Sequence, residues 1–287
     1  MSTVSPTPRQ APSRHRLRWT ILAVVLLIAV AAGIFLWWFF KDDAPDDVEL
    51  GDAVSQLTDP STTVGGSDDT TIDTTIDTTA DTTADTAAAT TSAPDTAAPS
   101  GPAIEGTWTV DTSIGEFSFE DTTGSFVGFR VEEELQGIGS NTAVGRTPGV
   151  SGTLVVEGTT VTEVTIEADM TGLVTDESRR DRRVQEALGT DQFPTATFTL
   201  TAPIELGDGA TSGEQLSVDA TGELTIKGVS QPVTLPLQAQ FADGTIVVVG
   251  QLEIVFADYG VEVPSAPVVL SADDHGIVEL QLFFSPA

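Results

Sequence analysis

Residues 104–287 predict an all-β domain with one short helix, preceded by a transmembrane helix and a disordered stalk. Three observations lead there: an uncharged run of 22 residues near the N-terminus, a four-residue acidic repeat after it, and two-residue apolar alternation through the rest. The net charge of -31 is very uneven. Arg9, Arg14, Arg16 and Arg18 precede the apolar run, Lys41 follows it, and the chain beyond is strongly acidic. Nucleic acid is excluded as a partner, because phosphate binding needs a basic stripe.

Residues 1–18 read as a basic cytoplasmic tail. Residues 19–40 carry no charge and are mostly Ile, Leu, Val, Ala, Phe and Trp. As a helix they span about 33 Å, close to the hydrocarbon thickness of a bilayer. Arginines crowd one flank, while Asp42, Asp43, Asp46 and Asp47 crowd the other. The positive-inside bias then leaves the N-terminus in the cytoplasm and the remainder outside. A cleaved signal peptide is the alternative. Its cleavage region would fall at Ala31, Ala32 and Gly33, and the apolar stretch that follows them opposes it. This chain is therefore expected to be a single-pass protein of the cell membrane with an extracytoplasmic C-terminal domain.

Residues 41–103 read as a disordered acidic linker rich in Thr, Asp and Ala. Asp69, Asp73, Asp77, Asp81 and Asp85 keep a period of four. A helix is opposed by the poor helix propensity of threonine and by like charges at i, i+4. No apolar face runs along the segment, so a stalk with a root-mean-square span of roughly 45 Å is expected.

From residue 104 the pattern changes. Val164, Ile166, Ala168 and Met170 share one parity. So do Leu216, Val218, Ala220, Leu224 and Ile226; Val233, Leu235, Leu237, Ala239 and Phe241; and Val278, Leu280, Leu282 and Phe284. Turn signals at Gly158, Asp243-Gly244 and Asp274-His275-Gly276 separate the runs. Only residues 176–188 read as helix, with an Asp176 or Ser178 start and Gly189 at the stop. Strands with one apolar face build a sandwich or a closed barrel, and alternation does not separate a filled interior from a hollow one.

The domain resembles the YceI-like family of bacterial envelope proteins. The matching pieces follow the family's order: Trp108-Thr-Val-Asp111, Gly128-Phe129-Arg130-Val131, Gly145-Arg146-Thr147, Ser178-Arg-Arg180-Asp181, Phe193-Pro194-Thr195-Ala196-Thr197-Phe198, Gly222-Glu-Leu-Thr-Ile-Lys-Gly228 and Phe256-Ala-Asp258-Tyr259-Gly260. The resemblance covers about residues 104–287. It departs at Arg183, where many members carry His, and at Leu188-Gly189-Thr190, which shortens the link from helix to strand. It implies a lipocalin-like antiparallel barrel whose interior takes an isoprenoid-type or other amphiphilic lipid chain.

With that implication, Phe117, Phe119, Phe129, Ile166, Phe193, Phe198 and Arg180 are the candidate ligand-binding residues. Ordinary core packing is the simpler role for each phenylalanine, and Trp108 reads as a plug at one barrel end. Arg179, Arg180, Arg182 and Arg183 form a dense basic cluster. A solvated helix face pairing with Asp176, Glu177, Asp181 and Glu186 is its simpler reading, and a clamp for a lipid phosphate its sharper one. Glu132-Glu133-Glu134 reads as an exposed edge or hairpin end. His275 reads as a turn residue. There is no cysteine, so thiolate metal sites and thiol nucleophiles are excluded. No motif for a cofactor, a metal site or a catalytic pair is present, and the chain reads as a binder and not an enzyme. The competing expectation is a structural or interaction module of the cell envelope with a filled barrel.

Overall fold

In the computed structural model the described residues are 44–58, 104–137, 139–263 and 269–287. The expected transmembrane helix at residues 19–40 and the acidic repeat lie outside them. Among the described residues no helix is long and apolar enough to cross a membrane.

The alternating runs form strands. In chain order these are β1 (Gly106–Val110), β2 (Phe126–Leu135), β3 (Gly139–Thr147), β4 (Val150–Glu157), β5 (Thr160–Asp169), β6 (Val174–Thr175), β7 (Thr195–Leu200), β8 (Ile204–Glu205), β9 (Leu216–Ile226), β10 (Val229–Ala242), β11 (Thr245–Val255), β12 (Val269–Ala272) and β13 (His275–Pro286). Among the described residues two α-helices accompany them: α1 (Leu50–Thr58) and α2 (Ser178–Leu188).

Eight strands close a ring. The order β1-β4-β5-β7-β9-β10-β11-β13 returns to β1 through the pairing of Thr109 with Ser285. All these pairings are antiparallel, so the choice between sandwich and barrel falls to the closed barrel. Closure leaves no open edge in the ring. The far half of the β13 edge, from Ile277 to Gln281, pairs instead with β2. From there β2, β3 and β6 extend the wall as a flap.

The register sorts side chains onto two sides of the wall. On β13, Val278, Leu280, Leu282 and Phe284 face the barrel interior, and Glu279, Gln281 and Phe283 face outward. Helix α2 covers one barrel end. Glu177 caps it, its carboxylate accepting from the Arg179 N–H, and Gly189 ends it in the left-handed conformation at φ 65°. The expected helix is thus present, with Glu177 and not Asp176 or Ser178 as the cap.

The linker expectation is corrected at its start. Residues 44–58 belong to the folded unit and lie along the outer wall. Leu50, Ala53, Val54 and Leu57 recur at helical spacing and give α1 an apolar stripe. Leu50 and Ala53 are buried against Val247, Val249 and Phe283, the outward side chains of β11 and β13, with Ile114 beside them.

Next to this contact, Glu279 is fully buried on the outer wall between two arginines. Arg130 Nε donates to its Oε2 at 2.8 Å and Arg146 Nε to its Oε1 at 2.7 Å. Gly128 lies between Glu279 and Arg146 in the register, where a Cβ would come within 2.9 Å of Arg146 Cγ. The arginines reach on to residues 45–47: Arg130 donates to the Pro45 carbonyl and pairs with Asp47 at 3.0 Å, and Arg146 Nη2 donates to the Asp46 carbonyl at 3.0 Å. The Arg146 guanidinium also lies 4.5 Å from the Phe126 ring centroid, a cation–π distance.

Candidate functional site: a cavity inside the barrel

The inward faces of β2, β5, β9, β10, β11 and β13 enclose a cavity of about 730 Å³. Its walls are almost wholly apolar, because the alternating positions point there: Val164, Ile166 and Ala168 from β5, Leu216 to Ile226 from β9, Leu235 to Phe241 from β10. The expectation of a filled barrel is thereby corrected. Side chains of Val, Ala and Leu size on facing walls do not span a ring of eight strands, whose interior is wide enough to hold one small ligand.

The two ends differ. At one, Trp108 is buried against Phe241, edge to face with ring centroids 5.9 Å apart, and its Nε1 donates to the Ile104 carbonyl at 2.8 Å. This closes the end as a plug. At the other end lie α2, the β9–β10 turn and the single helical turn Phe256–Tyr259. Lys227 Nζ donating to the Gly260 carbonyl and Gln231 Nε2 donating to the Asp258 carbonyl, each at 2.8 Å, hold the last two together. Tyr259 is buried there and lines the cavity. Burial first, and then the charge of Asp258, holds its hydroxyl above the ordinary tyrosine value.

Every charged residue in the cavity lining belongs to this second end: Glu133, Glu177, Arg179, Arg180 and Arg183. Glu133 was expected on an exposed edge, and it is 9% exposed and points inward. Its parity is that of Val127, Phe129 and Val131, which also line the cavity, and this two-residue spacing was the signal available in the chain. Arg180 Nη2 donates to Glu133 Oε1 at 2.7 Å, Asn141 Nδ2 donates to the same oxygen at 2.9 Å, and Arg180 also pairs with Asp176. Asp181, adjacent to Arg180, pairs elsewhere: it accepts from the Thr175 N–H and hydroxyl, each at 2.7 Å, and ties α2 to β6.

With this geometry in view, comparison with known proteins places the chain. The family model of the YceI-like domain matches residues 119–284, more than half of its length. The chain belongs to the YceI-like family. Curated relatives include Protein YceI of Shigella flexneri, 31% identical over 115 residues, and Protein YceI of Salmonella arizonae, 30% identical over 115 residues. Each alignment covers 39% of this chain and 54% of the relative, so the chain spans about half the length of the curated relatives it matches. Among solved structures, Burkholderia cenocepacia BcnA gives a TM-score of 0.46 at 18% identity, over 61% of this chain and 98% of that one. A polyisoprenoid binding domain from Saccharophagus degradans, implicated in plant cell wall breakdown, gives 0.47 at 19% identity, over 64% and 99%.

Within this YceI-like barrel, four of the seven candidate residues line the cavity: Phe129, Ile166, Phe198 and Arg180. Phe129 is seated by a neighbour on the next strand, since a Cβ at Gly145 would meet its ring at 2.4 Å. The other three do not line the cavity. Phe117 and Phe119 are half-buried in the connection between β1 and β2, off the alternating strands that form the wall. Phe193 is 38% exposed and packs over Gly228 at the β9–β10 turn. Aromatic character alone did not distinguish these three, because only strand parity determines which side chains turn inward.

Proposed function

We propose that this protein is a membrane-tethered, extracytoplasmic binder of one isoprenoid-type or other amphiphilic lipid chain, held inside the barrel. One observation carries the reading: an unfilled apolar cavity of about 730 Å³, plugged at one end and charged only at the other. A chain entering tail first places methylenes against apolar walls, each contributing roughly 0.8 kcal/mol, and leaves its head among the few polar groups. Nothing in this requires bond-making, so the reading is of a carrier, store or sensor and not of an enzyme. The uncharged run at residues 19–40, with arginines before it and aspartates after it, supports a tether with its N-terminus in the cytoplasm.

The test is organic extraction and mass spectrometry of the full chain purified from its membrane fraction, beside Ala220→Trp. Ala220 lines the cavity and is 1% exposed, so the larger ring occupies ligand space. Lipid in near-stoichiometric amount from the native chain, and its loss in the variant, is the expected result. Equal recovery from both places the lipid outside the barrel and removes the proposal. Labelling of residues on either side of the apolar run in intact cells tests the topology.

A further inference from the structure

We propose that the mouth end of the barrel is a docking surface for the lipid bilayer, so that the cavity opens directly onto the membrane. This deepens the reading of a tethered lipid binder and rests on it.

The first observation is where large apolar side chains meet water. Among the described residues the exposed ones are Phe193, Val229, Val255, Val263 and Leu270. Scattered singly, such residues are ordinary on any protein surface. These five share one end of the barrel. Phe193 precedes β7, whose first residue Thr195 pairs with Asp169 at the end of β5. Val229 opens β10, and Val255 closes β11 opposite His275, where β13 begins. Val263 borders the cavity just beyond the turn Phe256–Tyr259. Leu270, 63% exposed, lies on β12, which pairs with Glu133–Leu135 of β2. The plugged end offers no counterpart among the described residues. Its hairpins turn at Glu157–Thr160 and Ala242–Thr245 without a large exposed apolar side chain.

The second observation is charge. Beyond Lys41 the chain has seven basic residues. Arg130 and Arg146 are buried on Glu279. The other five stand at the mouth, four on α2 and Lys227 in the β9–β10 turn. A chain of net charge -31 is repelled by anionic head groups, and this end is where its own cations relieve the repulsion. Asp258, Glu262, Asp273 and Asp274 are exposed at the same end. Charge therefore orients the barrel, and the apolar side chains supply the adhesion.

The third observation is where the chain arrives. Pro45 and Asp47 lie on Arg130, whose partner on β13 is Ile277, two positions from the mouth-end residue His275. From there α1 runs toward the plugged half, against Val247 and Phe283. The uncharged run ends at Phe40 and the folded unit begins at Ala44, a reach of no more than about 14 Å. A tether this short, entering at the mouth half, brings that end and not the plugged one to the bilayer.

The chain has no cysteine, so single labels are unambiguous. The experiment uses single copies of the full chain in nanodiscs of phosphatidylethanolamine and phosphatidylglycerol. A fluorophore is placed at Ser230→Cys, beside Val229, or at Glu157→Cys in the plug-end hairpin. Phospholipids brominated high on the acyl chain are the quenchers. Quenching at the mouth label is expected to exceed that at the plug label at least about three-fold, because interfacial apolar groups sit about 5–10 Å into the head-group boundary. Val255→Asp/Leu270→Asp changes two exposed side chains outside the cavity lining and should bring the mouth label down to the level of the other. Equal quenching of the two labels in the native chain overturns the inference, as does full quenching of the mouth label in the variant. Shielding of the mouth label from aqueous iodide without quenching by brominated lipid assigns this face to a protein partner and also overturns it. Lipid still extracted from the protein after any of these failures leaves the lipid-chain reading intact. Its absence together with equal quenching overturns both readings.

Discussion

The two sides of strand β13 are both buried, and they are buried in opposite ways. Inward, Val278, Leu280, Leu282 and Phe284 are apolar and border empty space. Outward, Glu279, Gln281 and Phe283 alternate with them, and all three are less exposed than the inward Leu280. Glu279, a carboxylate, is fully buried, with two guanidiniums on it and residues 45–47 over them. The side that looks like a core is left open for a ligand, and the side that looks like a surface is sealed. Apolarity shows which face avoids water. It does not show which face is filled.

Breaking the outer side should have the largest effect. Glu279→Ala leaves Arg130 and Arg146 buried and facing each other, a situation that costs about 3–5 kcal/mol when one partner of a buried pair is removed. Denaturant unfolding of the variant measures it, and a midpoint equal to that of the native chain would show that this cluster is solvated. Leu50→Ala comes next. Leu50 is 2% exposed in the contact of α1 with Val247 and Phe283, and its truncation costs about 2–5 kcal/mol. Limited proteolysis should then cut in residues 44–58 before it touches the barrel. Simultaneous cleavage of both would mean that strap and barrel unfold as one.

The inner side should respond with the opposite sign. Ala220→Leu adds apolar atoms to existing space and should stabilise the ligand-free protein by about 0.5–2 kcal/mol, as cavity-filling changes do. It should also lower lipid capacity. Destabilisation would show that the cavity is narrower at β9 than its volume implies.

The smallest effect belongs to the rim, where neither side is buried. His275 Nδ1 lies 3.0 Å from Asp274 Oδ1, and this contact is the leading cause that raises the imidazole above its ordinary 6.5. A raised folded-state value means that the contribution to stability is complete below the unfolded value and is lost as pH rises through the folded one. Asp274 is shifted down, first by the same contact, so its share is present above the ordinary 3.8 and lost as pH falls through its folded value. Asp274 is exposed and the His275 side chain is about half exposed, so solvent screens the pair and stability should barely move across this window. A proton NMR titration should place His275 above 6.5 in the native chain and nearer 6.5 in Asp274→Asn. An unchanged titration would detach the shift from this pair.

Much of the barrel was legible from period two. Val164, Ile166, Ala168, Leu224, Leu237 and Leu282 line the interior as their parity requires. Glu133 shares the inward parity of Phe129 and Val131, but three consecutive glutamates mask that parity by resembling a solvated edge. Leu50, Ala53, Val54 and Leu57 carried a helical stripe too short to stand out from the acidic segment around it. No local pattern marked Phe117, Phe119 and Phe193 as lying off the wall. Their positions depend on how a connection and a helix end settle against strands far away in the chain.

The amino-acid order alone determined which side chains share a face, where strands turn, where α2 begins and ends, and that the polar helix would carry four arginines. These are local matters of backbone periodicity, turn chemistry and capping. The tertiary structure decided that the wall closes after eight strands, that its interior stays open, that residues 44–58 seal the outer face, and that three of those arginines stand at the mouth. Each of these depends on residues such as Arg130 and Glu279, 149 positions apart and brought within 2.8 Å only when the ring closes.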